Sequence, residues 1–137
     1  MEKCRKKQTK LWKCGDCGVV LEEISDCAKG PVCVPHCCGV PMTVCLEKTR
    51  DGAAEKHVPV FTRTADGCKV SVGAVPHPMT EEHHIEWVEI ITPDGFVCRK
   101  YLENNESPEA FFACRIQPGS VMREYCNLHG LWSAEIV

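Results

Sequence analysis

Four short segments carry side chains able to bind or activate a metal ion: Glu55-Lys56-His57-Val58-Pro59, Pro76-His77-Pro78-Met79, the pair His83-His84, and Cys126-Asn127-Leu128-His129-Gly130-Leu131-Trp132. Imidazole and thiolate are both metal donors, and the Cys-x-x-His pair can present one of each to a common centre. Structural zinc closes at four ligands, whereas a larger set of imidazoles with a thiolate suits iron. Taken singly, each histidine is as well explained as a surface or hydrogen-bonded residue. Prolines on both sides of His77 stiffen that loop whether or not it holds a metal. A second donor group lies earlier in the chain. Cys14-Gly15-Asp16-Cys17-Gly18 reads as a knuckle in which glycine lets two thiolates face one ion, and Cys37-Cys38-Gly39-Val40-Pro41-Met42 follows it. Cys33 with Cys37 or Cys38 has an equally good chelating spacing, so two ligand sets stay open there.

Residues so far apart in the chain can share a centre only if rigid elements bring their loops together. From residue 58 onward, short β-rich runs recur between turn residues, at 58–62, 68–72, 85–91, 96–102, 110–116, 121–125 and from Leu131. Asp66-Gly67 and Pro93-Asp94-Gly95 supply hairpin chemistry between neighbouring runs. About seven short strands in roughly eighty residues predict an all-β, immunoglobulin-like β-sandwich. No stretch sustains a helical period beyond a turn around Ser107-Pro108-Glu109-Ala110. The predicted strands place every candidate donor of this half at a strand end or in a loop.

Cysteine usage divides the chain of 137 residues. Eight of the twelve cysteines fall in residues 1–45, whereas every histidine except His36 falls in residues 57–129. The charged, glycine-containing stretch Lys48-Thr49-Arg50-Asp51-Gly52 marks the expected boundary, giving domains 1–48 and 49–137. Apolar runs before it are too short for an independent core, so the first domain is expected to need a metal cross-link. The formal net charge of −3 argues against a general nucleic-acid grip, and the basic opening Lys3-Cys4-Arg5-Lys6-Lys7 reads as a solvated terminus. No apolar run reaches membrane-spanning length and no secretory pattern opens the sequence, so a cytoplasmic protein with reduced thiols is expected. Among the cysteines outside both donor groups, Cys98 and Cys114 read as small strand residues. Cys4, Cys27, Cys45 and Cys68 are candidates for exposed thiols. Trp87, Trp132 and Tyr125 read as packing or site-wall residues.

In order, Glu-Lys-His-Val-Pro, His-Pro-Met-x-x-x-His, Glu-Trp and Cys-Asn-x-His-Gly-x-Trp resemble the iron domain of the desulfoferrodoxin and neelaredoxin family of superoxide reductases, from residue 55 onward. The resemblance implies a mononuclear iron with His57, His77, His83 and His129 in a plane and Cys126 axial, His84 being a non-ligand. It implies reduction of superoxide to hydrogen peroxide, with Lys56 attracting the anion and Glu55 able to cap the oxidised iron. Residues 11–42 resemble the desulforedoxin-like domain of the two-iron members, which implies a four-cysteine iron or zinc site at Cys14, Cys17, Cys37 and Cys38. The interval between Cys17 and Cys37, with Cys27 and Cys33 inside it, is longer than that pattern. An electron donor such as a rubredoxin-like protein, and a homodimer, are further expectations from the family. A non-catalytic electron carrier and a zinc-stabilised interaction module are the competing classes; neither needs a vacant coordination position or Lys56.

Overall fold

The computed structural model describes residues 8–25, 33–52, 56–114 and 116–137. Every helix or strand among them is a strand, and contacts group the chain into two compact units, Lys7–Leu46 and Glu47–Val137. The division falls just ahead of the charged stretch because Lys48 is already bridged in parallel to Trp132 of the second unit. Among the described residues, no helix is long and apolar enough to cross a membrane.

The first unit contains β1 (Lys10–Lys13), β2 (Val20–Glu23), β3 (His36–Cys37), β4 (Val40–Pro41) and β5 (Thr43–Val44). β1 is central and antiparallel to both β2 and β5. Between β3 and β4 the chain reverses in two residues, Cys38 at φ 54° and Gly39 at φ 73°. Two successive positive φ values are the signature of the tight I′ hairpin turn. Trp12, Cys14 and Met42 form a small buried cluster here, with Cys37 packed against it, and Leu11 of β1 is buried as well. So few apolar side chains offset little of the entropy of ordering the chain, which is the physical reason for a metal staple.

The second unit contains β6 (Pro59–Thr64), β7 (Gly67–Val72), β8 (Ile85–Ile91), β9 (Val97–Tyr101), β10 (Glu109–Phe112), β11 (Val121–Cys126) and β12 (Gly130–Glu135). They form two antiparallel sheets, ordered β10-β7-β6 and β12-β11-β8-β9. Seven strands split three and four in this order make the expected immunoglobulin-like sandwich. β7 shows why the sheets face each other: Cys68, Val70 and Val72 are buried while the residues between them are half-buried, the period of two that a one-sided sheet requires. Opposite them lie Ile85, Val88, Ile90, Met122 and Cys126.

Two departures from the predicted pattern matter. The run expected at 110–116 ends as a strand at Phe112, because its partner β7 begins at Gly67 and Phe112 already pairs with Cys68. A side chain at Gly67 would overlap the Phe112 carbonyl oxygen, so the close approach needs glycine. Between β8 and β11 the register slips: Tyr125 pairs with Trp87, but Cys126 pairs with Ile85, leaving Glu86 as an extra residue. This bulge lets Ile85 and Val88, which strict alternation would send to opposite faces, both join the core. On the other face of the same sheet, the fully buried Glu89 accepts hydrogen bonds from Arg123 Nε and Arg99 Nη2, each at 2.7 Å. Arg99 also lies over Trp87, which stacks on Tyr125. Both aromatics therefore pack on the outer sheet face.

Candidate metal centre

One end of the sandwich gathers the donors of the histidine-rich segments. His57 precedes β6, His77 and His83 lie between β7 and β8, Cys126 ends β11, and His129 sits in the turn before β12. Antiparallel pairing puts the starts of β6, β8 and β12 beside the ends of β7 and β11, which turns large sequence separations into neighbourhood. The ligand atoms of His57, His77, His83, Cys126 and His129 all lie within 4.8 Å of one another.

The four imidazoles close into a cycle. Ring centroids are 4.6 Å apart for His57–His77, 4.6 Å for His77–His83, 5.0 Å for His83–His129 and 4.8 Å for His129–His57, while His57 and His83 stand 6.3 Å apart across the cycle. Adjacent rings are inclined by 63° to 81°, so each presents an edge nitrogen to the centre. His57 Nε2 is 3.0 Å from His77 Nε2 and 3.1 Å from His129 Nδ1. Two nitrogens held at right angles about 2.1 Å from one ion are about 3.0 Å apart, so these pairs fit neighbouring ligands of a single cation. His77 Nδ1 donates to the Pro78 carbonyl at 2.7 Å, which fixes the tautomer with its lone pair on Nε2. Cys126 Sγ lies further off, 3.7 Å from His77 Nε2 and 3.8 Å from His129 Nδ1. The residue is wholly buried in the core, whereas His83 and His129 are half-buried. Five nitrogen and sulfur donors exceed the closed set of structural zinc and suit iron.

Several residues that hold this ring have no local sequence signal. Asp51 Oδ1 accepts the backbone N–H of His57 at 2.6 Å and of Val58 at 2.9 Å. Burial alone would raise the Asp51 carboxyl, but those two N–H groups and the charge of Lys56 outweigh it and hold the carboxyl below its ordinary value. Trp132 stacks on His57 with centroids 4.5 Å apart and planes 10° from parallel. Lys48 donates from Nζ to the His129 carbonyl at 2.6 Å and places the same ammonium 5.2 Å from the Trp132 ring centre. Thr80 closes the loop under His83, accepting its N–H at Oγ1 and giving its own N–H to the His83 carbonyl.

Asn127 follows Cys126 directly in the chain. The structure engages its side chain elsewhere: Oδ1 accepts the His84 N–H at 2.8 Å, and Nδ2 donates to the Glu82 carbonyl at 2.9 Å, so Asn127 ties the His83 loop to the β11–β12 turn. His84 Nδ1 donates to the Thr80 carbonyl, and His84 is not in the converging group. Lys56 is exposed beside His57. Glu55 lies outside the described residues. Glu124, two residues before Cys126, is fully buried, and burial together with the Asp51 carboxylate raises its carboxyl well above the usual range.

In the first unit the sulfurs of Cys14, Cys17, Cys37 and Cys38 likewise lie within 4.8 Å of one another. Cys17 and Cys37 are 3.6 Å apart and Cys37 and Cys38 3.8 Å, matching the edge of about 3.8 Å expected for four sulfurs about 2.3 Å from one ion. The knuckle forms as its glycine suggested, with Gly18 at φ 81° donating to the Cys14 carbonyl and Cys17 N–H aimed at Cys14 Sγ. That N–H lowers the Cys14 thiol to about 7, while the neighbouring thiols of Cys17 and Cys14 push Cys37 up to about 12. Cys38 is raised as well, so a metal binding here must displace the protons of Cys37 and Cys38. Cys33 is disulfide-bonded, which withdraws it from competition for this site. Cys4 and Cys27 lie outside the described residues.

The profile of the Desulfoferrodoxin family matches residues 49–135. The chain belongs to the desulfoferrodoxin family. It is 48% identical over 128 residues to the desulfoferrodoxin of Nitratidesulfovibrio vulgaris, covering 93% of this chain and 97% of that protein. It is 37% identical over 106 residues to the superoxide reductase of Pyrococcus horikoshii, covering 65% of this chain and 92% of the other. Among solved structures, the superoxide reductase from Treponema pallidum aligns with a TM-score of 0.73 at 27% identity, over 95% of this chain and all of that one. The desulfoferrodoxin likeness extends through both units, and each unit holds one of the two donor groups.

Proposed function

We propose that this desulfoferrodoxin is a superoxide reductase, in which one electron and two protons convert superoxide to hydrogen peroxide. The site is a mononuclear iron held by His57, His77, His83, His129 and Cys126. The observation that carries the reading is the closed ring of four imidazoles with a buried thiol on its core side. Iron held by these five residues would supply the electron and a binding position for the anion. The chain's own residues do the rest. Burial of Cys126 puts the sulfur on the protein side and leaves the solvent side of the ring for substrate. Lys56, exposed next to His57, raises the encounter rate with an anion. Glu55 is assigned the capping role of its counterpart in the family.

Cys14, Cys17, Cys37 and Cys38 hold the auxiliary iron, a tetrahedral sulfur site that zinc also fits. Electrons come from a carrier such as a rubredoxin-like protein, and the protein acts in the cytoplasm as a homodimer. Pulse radiolysis of the iron-loaded, reduced protein tests the reading. A second-order absorbance change after the superoxide pulse is expected, slowed about tenfold in Lys56→Ala at low ionic strength and much less at high salt. Absence of any such change in the wild type overturns the enzyme in favour of a simple electron carrier. A Lys56→Ala rate equal to the wild type at every salt concentration removes the steering role.

A further inference from the structure

Outside both donor groups the sandwich holds a second thiol cluster. Cys98 Sγ lies 3.8 Å from Cys114 Sγ. Cys98 is on β9, the edge strand of the four-stranded sheet, and Cys114 stands two residues past β10, the edge strand of the three-stranded sheet. The pair therefore spans the side of the sandwich where, among the described residues, neither edge strand has a further partner. Both residues are half-buried, neither is disulfide-bonded, and both pack against the core cluster. The pair is not part of either metal-binding group. Two small core residues would satisfy the packing without facing each other across two sheets.

We propose that Cys98 and Cys114 are a redox modification site, which hydrogen peroxide converts to a reversible disulfide joining the two sheet edges. The Cys98 sulfur attacks one peroxide oxygen, so an S–O bond forms, the O–O bond breaks and one water leaves after protonation. The Cys114 sulfur then attacks the resulting sulfenic acid, so the S–S bond forms, the S–O bond breaks and a second water leaves. Two thiols are oxidised, both peroxide oxygens are reduced, and the two thiol protons leave in the two waters. Burial and the adjacent Cys98 push the Cys114 thiol up to about 11, and the same balance holds with the two sulfurs exchanged. The sulfurs, 3.8 Å apart, must approach to the S–S bond length of about 2.05 Å. The proposal rests on the superoxide reductase reading solely for the source of peroxide in the cell, since that reaction would release the oxidant on the same molecule.

The test supplies peroxide from outside, so it is independent of superoxide activity. Full-length, metal-loaded, reduced protein is treated with hydrogen peroxide, alkylated, and mapped with trypsin under non-reducing conditions; cleavage at Arg99 separates the two cysteines. The expected product is the Cys98 peptide cross-linked to the Cys114 peptide, lighter by two hydrogens than the sum of the free peptides and released by dithiothreitol. Cys98→Ser and Cys114→Ser, both near-isosteric, should lose it completely. The proposal is overturned if both thiols alkylate after peroxide as fully as before it. It is equally overturned if Cys98 pairs with Cys68 instead, or if the two sulfurs oxidise separately to sulfinic acids. The visible spectrum of the metal centre, recorded on the same samples, distinguishes thiol oxidation from loss of the metal.

Discussion

Replacing Asp51 measures what holds His57 in the ring. Its carboxylate oxygen accepts two backbone N–H groups, at 2.6 Å and 2.9 Å, from the segment that delivers the first ligand. A hydrogen bond to a charged group contributes about 1.5–3 kcal/mol when shielded from water. Asp51 is exposed, and solvent screening brings the two bonds together nearer the ~1–2 kcal/mol of a strong helix cap. Asp51→Ala is therefore expected to lower the unfolding free energy by about 1–2 kcal/mol. It should also weaken metal retention about tenfold, as loss of a ligand-orienting contact does. Asp51→Asn keeps the acceptor oxygen and should recover most of both. Urea unfolding of the metal-loaded protein, followed by tryptophan fluorescence, gives the first quantity, and competition with a chelator gives the second. The sign with pH is fixed by the lowered carboxyl. Its stabilisation is complete above the unfolded value of about 3.9 and is lost as pH falls through the lower folded value. Wild type and Asp51→Ala should therefore converge only in strong acid. Should Asp51→Ala unfold at the wild-type urea midpoint and hold metal equally well, the two bonds do not position His57 and the reasoning fails.

Three further outcomes follow from the same geometry. Gly73, at φ 80°, would place an added Cβ 2.5 Å from the Lys56 carbonyl oxygen and 2.7 Å from that of Val75. Gly73→Ala should cost at least about 1–2 kcal/mol in urea unfolding and, by displacing Lys56, impair metal loading; wild-type stability would show that the backbone there yields freely. Lys48→Ala removes the ammonium from the His129 carbonyl and the Trp132 face and should shift the absorption of the metal-loaded protein, with Lys48→Arg restoring part of it. An unchanged spectrum would make Lys48 a surface residue only. Cys126→Ser should abolish thiolate-to-metal absorption from the histidine-rich centre, and persistence of that band would mean another cysteine is the sulfur ligand.

The strands were legible because their cause is local. In β7 the buried residues recur at every second position, and β8 occupies the stretch its apolar run marked out. Donor types and their order were legible for the same reason: a histidine or cysteine at a strand end is visible as such. What escaped the sequence is whatever depends on pairing across distance. Lys48 and Asp51 read as a charged boundary, yet they brace His129 and His57: the Lys48 bond spans 81 residues and leaves no periodic trace, and the Asp51 bond, spanning six, belongs to no periodic element. The bulge at Glu86 exists only in the register between two strands. Asn127 stands beside Cys126 in the chain, yet the loop it tethers is 45 residues away at Glu82. Cys33 and the knuckle cysteines are alike in spacing, and only the fold separates the disulfide from the metal group.

The ring's members come from chain positions as distant as His57 and His129, 72 residues apart, and backbone contacts such as those of Asp51 and Thr80 hold them in place. During synthesis, the cage cannot close until the turn after β11 has left the ribosome, so the ion arrives after translation has passed that point. Affinity alone does not select iron for such a cage: copper and zinc outrank ferrous iron for these donors. The cell must settle the contest by keeping those competitors scarce, and a culture overloaded with copper should yield mismetallated protein even though every ligand is in place.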